Sequence, residues 1–168
     1  MKKLLKTLLL TLTITAILAP FSTVEARRSR RSSSSDSKTW GVGVNLGEPM
    51  GFNTRFYFLD HLAGDLTLGY GFEEEGFIIQ PSLLFRLNGI LDYNGGDFTV
   101  VPYFGTGFKT GVAKNDKAVG AMRFPVGVAW QLSDGEFEIG VELAPGFEFS
   151  PESEFDMTGG LQLRYFFF

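Results

Sequence analysis

The chain has 168 residues, with 18 Phe and 21 Gly beside no Cys and a single His. One domain of ordinary size is expected, and disulfide scaffolds, cysteine zinc sites and multi-histidine metal sites are excluded. The net charge of −4 hides an asymmetry: from Thr39 onward, 7 Lys and Arg face 17 Asp and Glu, a net of −10, which leaves no basic surface for nucleic acid.

The N-terminus reads as an address. Lys2, Lys3 and Lys6 form a charged start, residues 4–21 are largely apolar, and Val24-Glu25-Ala26 places small residues at the −3 and −1 positions of a cleavage site. Residues 1–26 are expected to be a signal peptide cut after Ala26, with an uncleaved anchor as the alternative. Residues 27–38 (RRSRRSSSSDSK) are basic, serine-rich and unable to bury anything, so a disordered tail follows. It is a solvated spacer, or a segment that touches anionic headgroups or cell-wall polymer.

From Thr39 to Phe168 the sequence alternates with period two in eight runs, which means strands. One set of alternating positions holds Trp40, Val42, Val44 and Leu46 in the first run and Phe52, Thr54, Phe56 and Phe58 in the second. It continues in the same way to Leu161, Leu163, Tyr165 and Phe167, and Thr54 is its one polar member. The other set is small, polar or charged, as in Asn53, Arg55 and Tyr57 or Glu138, Gly140 and Glu142. An eight-stranded barrel has room inside only for its inward side chains. The 39 positions of the large apolar set therefore face outward, an arrangement that suits a bilayer rather than water.

Aromatic residues gather near the run ends. Trp40, Phe58, Phe98, Trp130, Phe137 and Phe167 fall on one rim, Phe52, Phe72, Phe77, Phe104, Phe147 and Phe149 on the other, and aliphatic residues lie between, with Phe56 the exception. A soluble calycin-like barrel has no reason for this sorting. The 130 residues after the tail allow about 16 per strand and connection, enough for membrane strands of about 9–11 residues. The fold expected is all-β: an eight-stranded up-and-down antiparallel transmembrane β-barrel over residues 39–168, in a bacterial outer membrane. Pro81, Pro102, Pro125 and Pro145 fall inside runs and predict bulges or frayed ladder positions.

The inward set contains Arg55, Arg86, Arg123 and Arg164 against Asp65, Glu138, Glu142 and Glu148. Equal numbers of each sign predict a packed neutral interior, since unpaired buried charge is costly. The alternative is a narrow polar conduit, a small pore. A last hairpin turning about Ser153 sets Glu142 opposite Arg164; a first hairpin turning about Pro49 sets Arg55 opposite Gly43 and Tyr57 opposite Gly41. Residues 109–119 form the one long outer connection expected. Lys109, Lys114 and Lys117 there are the only lysines after the tail, a candidate site for an anionic surface ligand.

No catalytic constellation is present, no cofactor or metal is expected, and an enzyme acting on lipid is the least supported reading. The single histidine, His61, falls in a turn beside Asp60, and the Gly41-Val42-Gly43 run with Gly47 is followed by no helix and fails dinucleotide spacing. Glu73-Glu74-Glu75 and the segment from Glu152 to Asp156 read as solvated outer turns, with divalent-cation bridging of lipopolysaccharide as the functional alternative.

The run from Gly41 to Gly51 (GVGVNLGEPMG), Arg55-Phe-Tyr, Arg123-Phe-Pro-Val-Gly127, the stretch Glu138 to Pro145 and the closing Gly159-Gly160-Leu-Gln-Leu-Arg164-Tyr-Phe carry a resemblance. Together they resemble a family of small, uncharacterised outer-membrane β-barrels of the OmpA/OmpX-like kind. The resemblance implies a non-enzymatic role in envelope integrity or surface binding, outer-membrane lipid as surroundings, and recognition of the aromatic C-terminus by barrel-assembly machinery. Terminal Phe168 is one residue out of phase with that signal.

Overall fold

A computed structural model describes residues 39–88, 98–132, 136–150 and 153–167. The expected signal peptide, the basic tail, Glu152 and Phe168 lie outside them. Nine strands follow one another: β1 Trp40–Glu48, β2 Met50–Leu59, β3 Leu62–Gly71, β4 Gly76–Arg86, β5 Phe98–Ala113, β6 Lys117–Arg123, β7 Val126–Leu132, β8 Phe137–Ser150 and β9 Glu154–Phe166. Every pairing is antiparallel. β1 pairs with β9, so the sheet closes on itself and leaves no edge.

The nine strands fill eight places in the ring. β6 and β7 both lie between β5 and β8 and are separated by Phe124 and Pro125. At that level the ladders on both sides skip: Arg123 pairs with Gly107 and Gly146, and Val126 pairs with Phe104 and Leu143. Pro125 has no N–H to give. Its carbonyl still accepts from Gly105 N, and Pro145 O accepts from Phe124 N, each at 2.8 Å. The β4–β5 ladder also skips, between Ile79↔Thr110 and Ser82↔Gly107, where Pro81 sits. Pro102 stays in regular register opposite Val128, its missing donor absorbed without a break.

Burial decides the two faces. Leu143 is 60% exposed and Phe155 66%, while Arg55, Glu138 and Arg164 on alternate positions are 3% exposed or less. Most large apolar side chains thus stand outside the ring, and the charged and small ones lie inside with a few apolar ones, Ile78, Leu84, Val101, Tyr103 and Phe166. Thr54, polar on the outward set, is satisfied locally: its Oγ1 accepts from Trp40 Nε1 at 2.7 Å and donates to Gly41 O at 2.9 Å. Aromatic contacts gather at the end where β1 begins and β9 ends, with Trp40–Phe167 rings 5.5 Å apart, Phe137–Tyr165 5.1 Å and Phe56–Phe58 5.1 Å.

Five expectations are corrected. In the first hairpin Arg55 pairs with Gly41 and Asn53 with Gly43, and Tyr57 N donates to Thr39 O. The Asn45 side chain donates to Pro49 O at 2.6 Å and draws the turn back by one residue. In the last hairpin Arg164 pairs with Glu138, and Glu142 with Gly160. From Glu154 onward the acidic stretch expected to be a loop is strand, Phe155 and Met157 pointing out, Asp156 and Thr158 in. The long connection at 109–119 is likewise strand: β5 runs on to Ala113 and only Lys114–Asp116 turns, helped by Asp116 at φ 57°. Phe104, expected on the outer rim, therefore sits mid-strand opposite Phe85, and Phe108 and Val112 continue its stripe toward the turn.

Candidate functional site: the ionic lumen and its mouth

Glycines make the lumen possible. A Cβ at Gly41 would strike the Phe166 ring at 2.7 Å, and one at Gly127 would fall 2.5 Å from the Tyr103 ring. Small residues on the inward set leave the space that long side chains from neighbouring strands fill.

Near the termini, four charges from β2, β3, β8 and β9 meet. Arg55 contacts Asp65 at 2.9 Å and Glu138 at 3.0 Å; Arg164 contacts the same two acids at 3.0 and 2.7 Å. Glu138 also accepts from Tyr57 Oη at 2.8 Å and Gln131 Nε2 at 3.1 Å, so four donors saturate its two oxygens. Asn53 donates to Asp65 at 2.8 Å and accepts from Arg164 Nε. The Arg55 guanidinium lies 4.7 Å from the centre of the Tyr103 ring, which adds cation–π attraction. Two positive and two negative charges, each with side-chain exposure of 5% or less, sum to zero.

The next tier is a single pair. Arg123 Nη2 contacts Glu142 at 2.7 Å and Nη1 donates to Gln80 at 2.6 Å, while Tyr103 Oη donates to the other Glu142 oxygen at 3.0 Å. This tier is also neutral.

The third tier, at the mouth by the turns, is not balanced. Lys109 Nζ contacts Glu74 at 2.5 Å, Asp156 at 2.7 Å and Glu148 at 3.7 Å. One ammonium thus faces three carboxylates. Above them opens a cavity of about 360 Å³ lined by Glu73, Glu74, Glu75, Glu148, Glu154 and Asp156 with Lys114 and Lys117.

The structure therefore gathers Arg55, Asp65, Arg123, Glu138, Glu142 and Arg164 inside the ring, though not in the pairs the sequence suggested. Arg86 stands apart: half-buried, it donates to Asp60 O at 3.3 Å and lies 4.3 Å above the Tyr57 ring. Glu148 belongs with Lys109 at the mouth. The three lysines do not share a loop, because Lys109 points inward from β5 with a side chain 1% exposed, whereas Lys114 is exposed and paired with Glu75. His61 is an exposed turn residue whose carbonyl accepts from Arg86 N at 2.9 Å.

Sequence reasoning over charged residues alone missed the neutral partners Asn53, Tyr57, Gln80, Tyr103, Gln131 and Gln162. All occupy the inward set, so their parity was the available signal. The chain matches no protein-family profile, no curated protein and no solved structure.

Proposed function

We propose that the chain is an eight-stranded transmembrane β-barrel of the outer membrane of a two-membrane bacterium, non-enzymatic, with a structural, envelope-integrity or surface-binding role. The observation that carries this reading is the inverted burial: an uncharged outer surface of Phe, Leu, Val and Tyr around a charged, hydrogen-bonded interior. Water does not stabilise such a surface, and a closed ring satisfies its backbone without solvent, as a bilayer requires. The aromatic pairs at the terminal end suit a headgroup interface, with outer-membrane lipid as the surroundings. By resemblance to the OmpA/OmpX-like barrels, the barrel-assembly machinery is the partner for the aromatic C-terminus and residues 1–26 direct export.

Two neutral tiers of side chains crossing the lumen support an ionic plug over a pore. Fractionation of the envelope with gel migration before and after boiling tests the barrel: the chain is expected in the outer-membrane fraction, migrating faster unboiled. Recovery in a soluble fraction with no migration difference overturns the reading.

A further inference from the structure

We propose that the mouth of the ring is a binding site for a hard divalent cation, of the Ca²⁺ class, held by Glu73, Glu74 and Asp156. One carboxylate oxygen from each of these residues lies within 4.8 Å of the others. Two oxygens on opposite sides of a Ca²⁺ stand up to about 5 Å apart, twice the usual Ca–O distance. They come from two places, Glu73 and Glu74 from the β3–β4 turn and Asp156 from the first part of β9, so it is the fold that brings Asp156 to the acidic pair.

Buried oxygens without partners point to a ligand independently of the cluster. The Asp156 and Glu74 side chains are 4% and 8% exposed, and each gives one oxygen to Lys109. The second oxygen of each, Asp156 Oδ2 and Glu74 Oε2, is buried and accepts no hydrogen bond. Orphaned carboxylate oxygens at such sites are costly. Both residues line the cavity.

Charge decides the ligand class. Elsewhere inside the ring acids and bases cancel, two against two around Glu138 and one against one at Arg123. At the mouth Lys109 meets Glu74, Glu148 and Asp156, an excess of two negative charges to which Glu73 adds a third, and a divalent cation removes two of the three. Carboxylates without His or Cys select a hard ion over zinc or copper. Glu73, exposed at the rim, completes the set from the solvent side and leaves an entry path. Lys109 is then the competing cation, sharing Glu74 and Asp156 with the metal.

This inference rests on the geometry of the mouth alone, and stands or falls separately from the membrane reading. Calcium binding to the full chain in detergent, followed by calorimetry with CaCl₂ against NaCl of equal ionic strength, tests it. The expected dissociation constant is about 10⁻⁴ to 10⁻³ M, the range of extracellular calcium modules. Glu73→Gln, at an exposed position that folding tolerates, is expected to weaken binding about tenfold, and Asp156→Asn more. Lys109→Met is expected to strengthen it about tenfold by removing the competing ammonium, while Asp60→Asn, in the β2–β3 turn at the opposite end of the ring, leaves it unchanged. Absence of saturable binding up to 10 mM CaCl₂ (about ten times the weakest expected constant), or equal affinity in the wild type and Glu73→Gln, overturns the proposal.

Discussion

Glu138 of β8 and Arg164 of β9 face each other across the strand pair, and Oε1 of the carboxylate accepts from Nη1 of the guanidinium at 2.7 Å, both side chains fully buried. The same oxygen accepts from Arg55 on β2. One carboxylate thus ties the two strands next to the closure seam to a strand across it.

Removing that carboxylate leaves two guanidinium groups with one shared acid, Asp65, and the loss of one member of a buried pair costs about 3–5 kcal/mol. Glu138→Ala is expected to lower unfolding stability by that amount, read from the denaturant midpoint of the refolded chain by Trp40 and Trp130 fluorescence. The double variant Glu138→Ala with Arg164→Ala should lose less than the two single changes added together. Additive losses would show that the two do not act as a pair.

The closure seam depends on glycine. A Cβ on Gly43 would run into the Leu163 carbonyl and the Arg164 backbone of β9, which cannot step aside, whereas one on Gly140 meets only side-chain atoms, of Gln162 at 3.2 Å and of Arg164 at 3.6 Å. Gly43→Ala is expected to abolish the fast-migrating unboiled band, while Gly140→Ala keeps it. Identical gels for the two variants would contradict the closure geometry.

Strand identity was legible in the sequence because period two survives any register, and the inward face was legible from side-chain volume. Register was not. Whether Arg164 faces Glu142 or Glu138 turns on where the last hairpin bends, and the segment from Glu152 to Asp156 reads as a loop by composition although Phe155 and Met157 keep the alternation going. Lys109 failed for the same reason. A lysine among glycines suggests a loop, yet Phe108 and Val112 stay in phase with Phe104, which places Lys109 inside. The break at Phe124–Pro125 leaves the parity of β6 and β7 unchanged, so only Pro125 marked it.

Lysines 109 and 114 make a matched comparison. Both contact a carboxylate, but the Lys114–Glu75 side chains are 66% and 51% exposed and that pair gains little in water. Lys114→Ala is expected to change stability by less than about 0.5 kcal/mol at any ionic strength. Lys109→Ala strands Glu74 and Asp156 and is expected to cost about 3 kcal/mol in metal-free buffer. Thermal unfolding at low and high NaCl checks both, and a Lys109 effect that vanishes in 1 M salt would place that lysine in solvent.

The last consequence concerns conduction. Arg55, Asp65, Glu138 and Arg164 meet from four strands inside the ring, with the Tyr103 ring against Arg55, so an ion passing through the ring would encounter this tier. Moving a guanidinium aside would break two contacts at once, each to a buried acid, a cost that thermal motion does not meet on the timescale of ion passage. Planar-bilayer recordings of the wild-type chain are expected to be flat, and replacement of these four residues together with Arg123 and Glu142 of the next tier by Ala is expected to give steps of conductance. Steady conductance from the wild type would remove the plug and restore the polar conduit as the better account of the same charges.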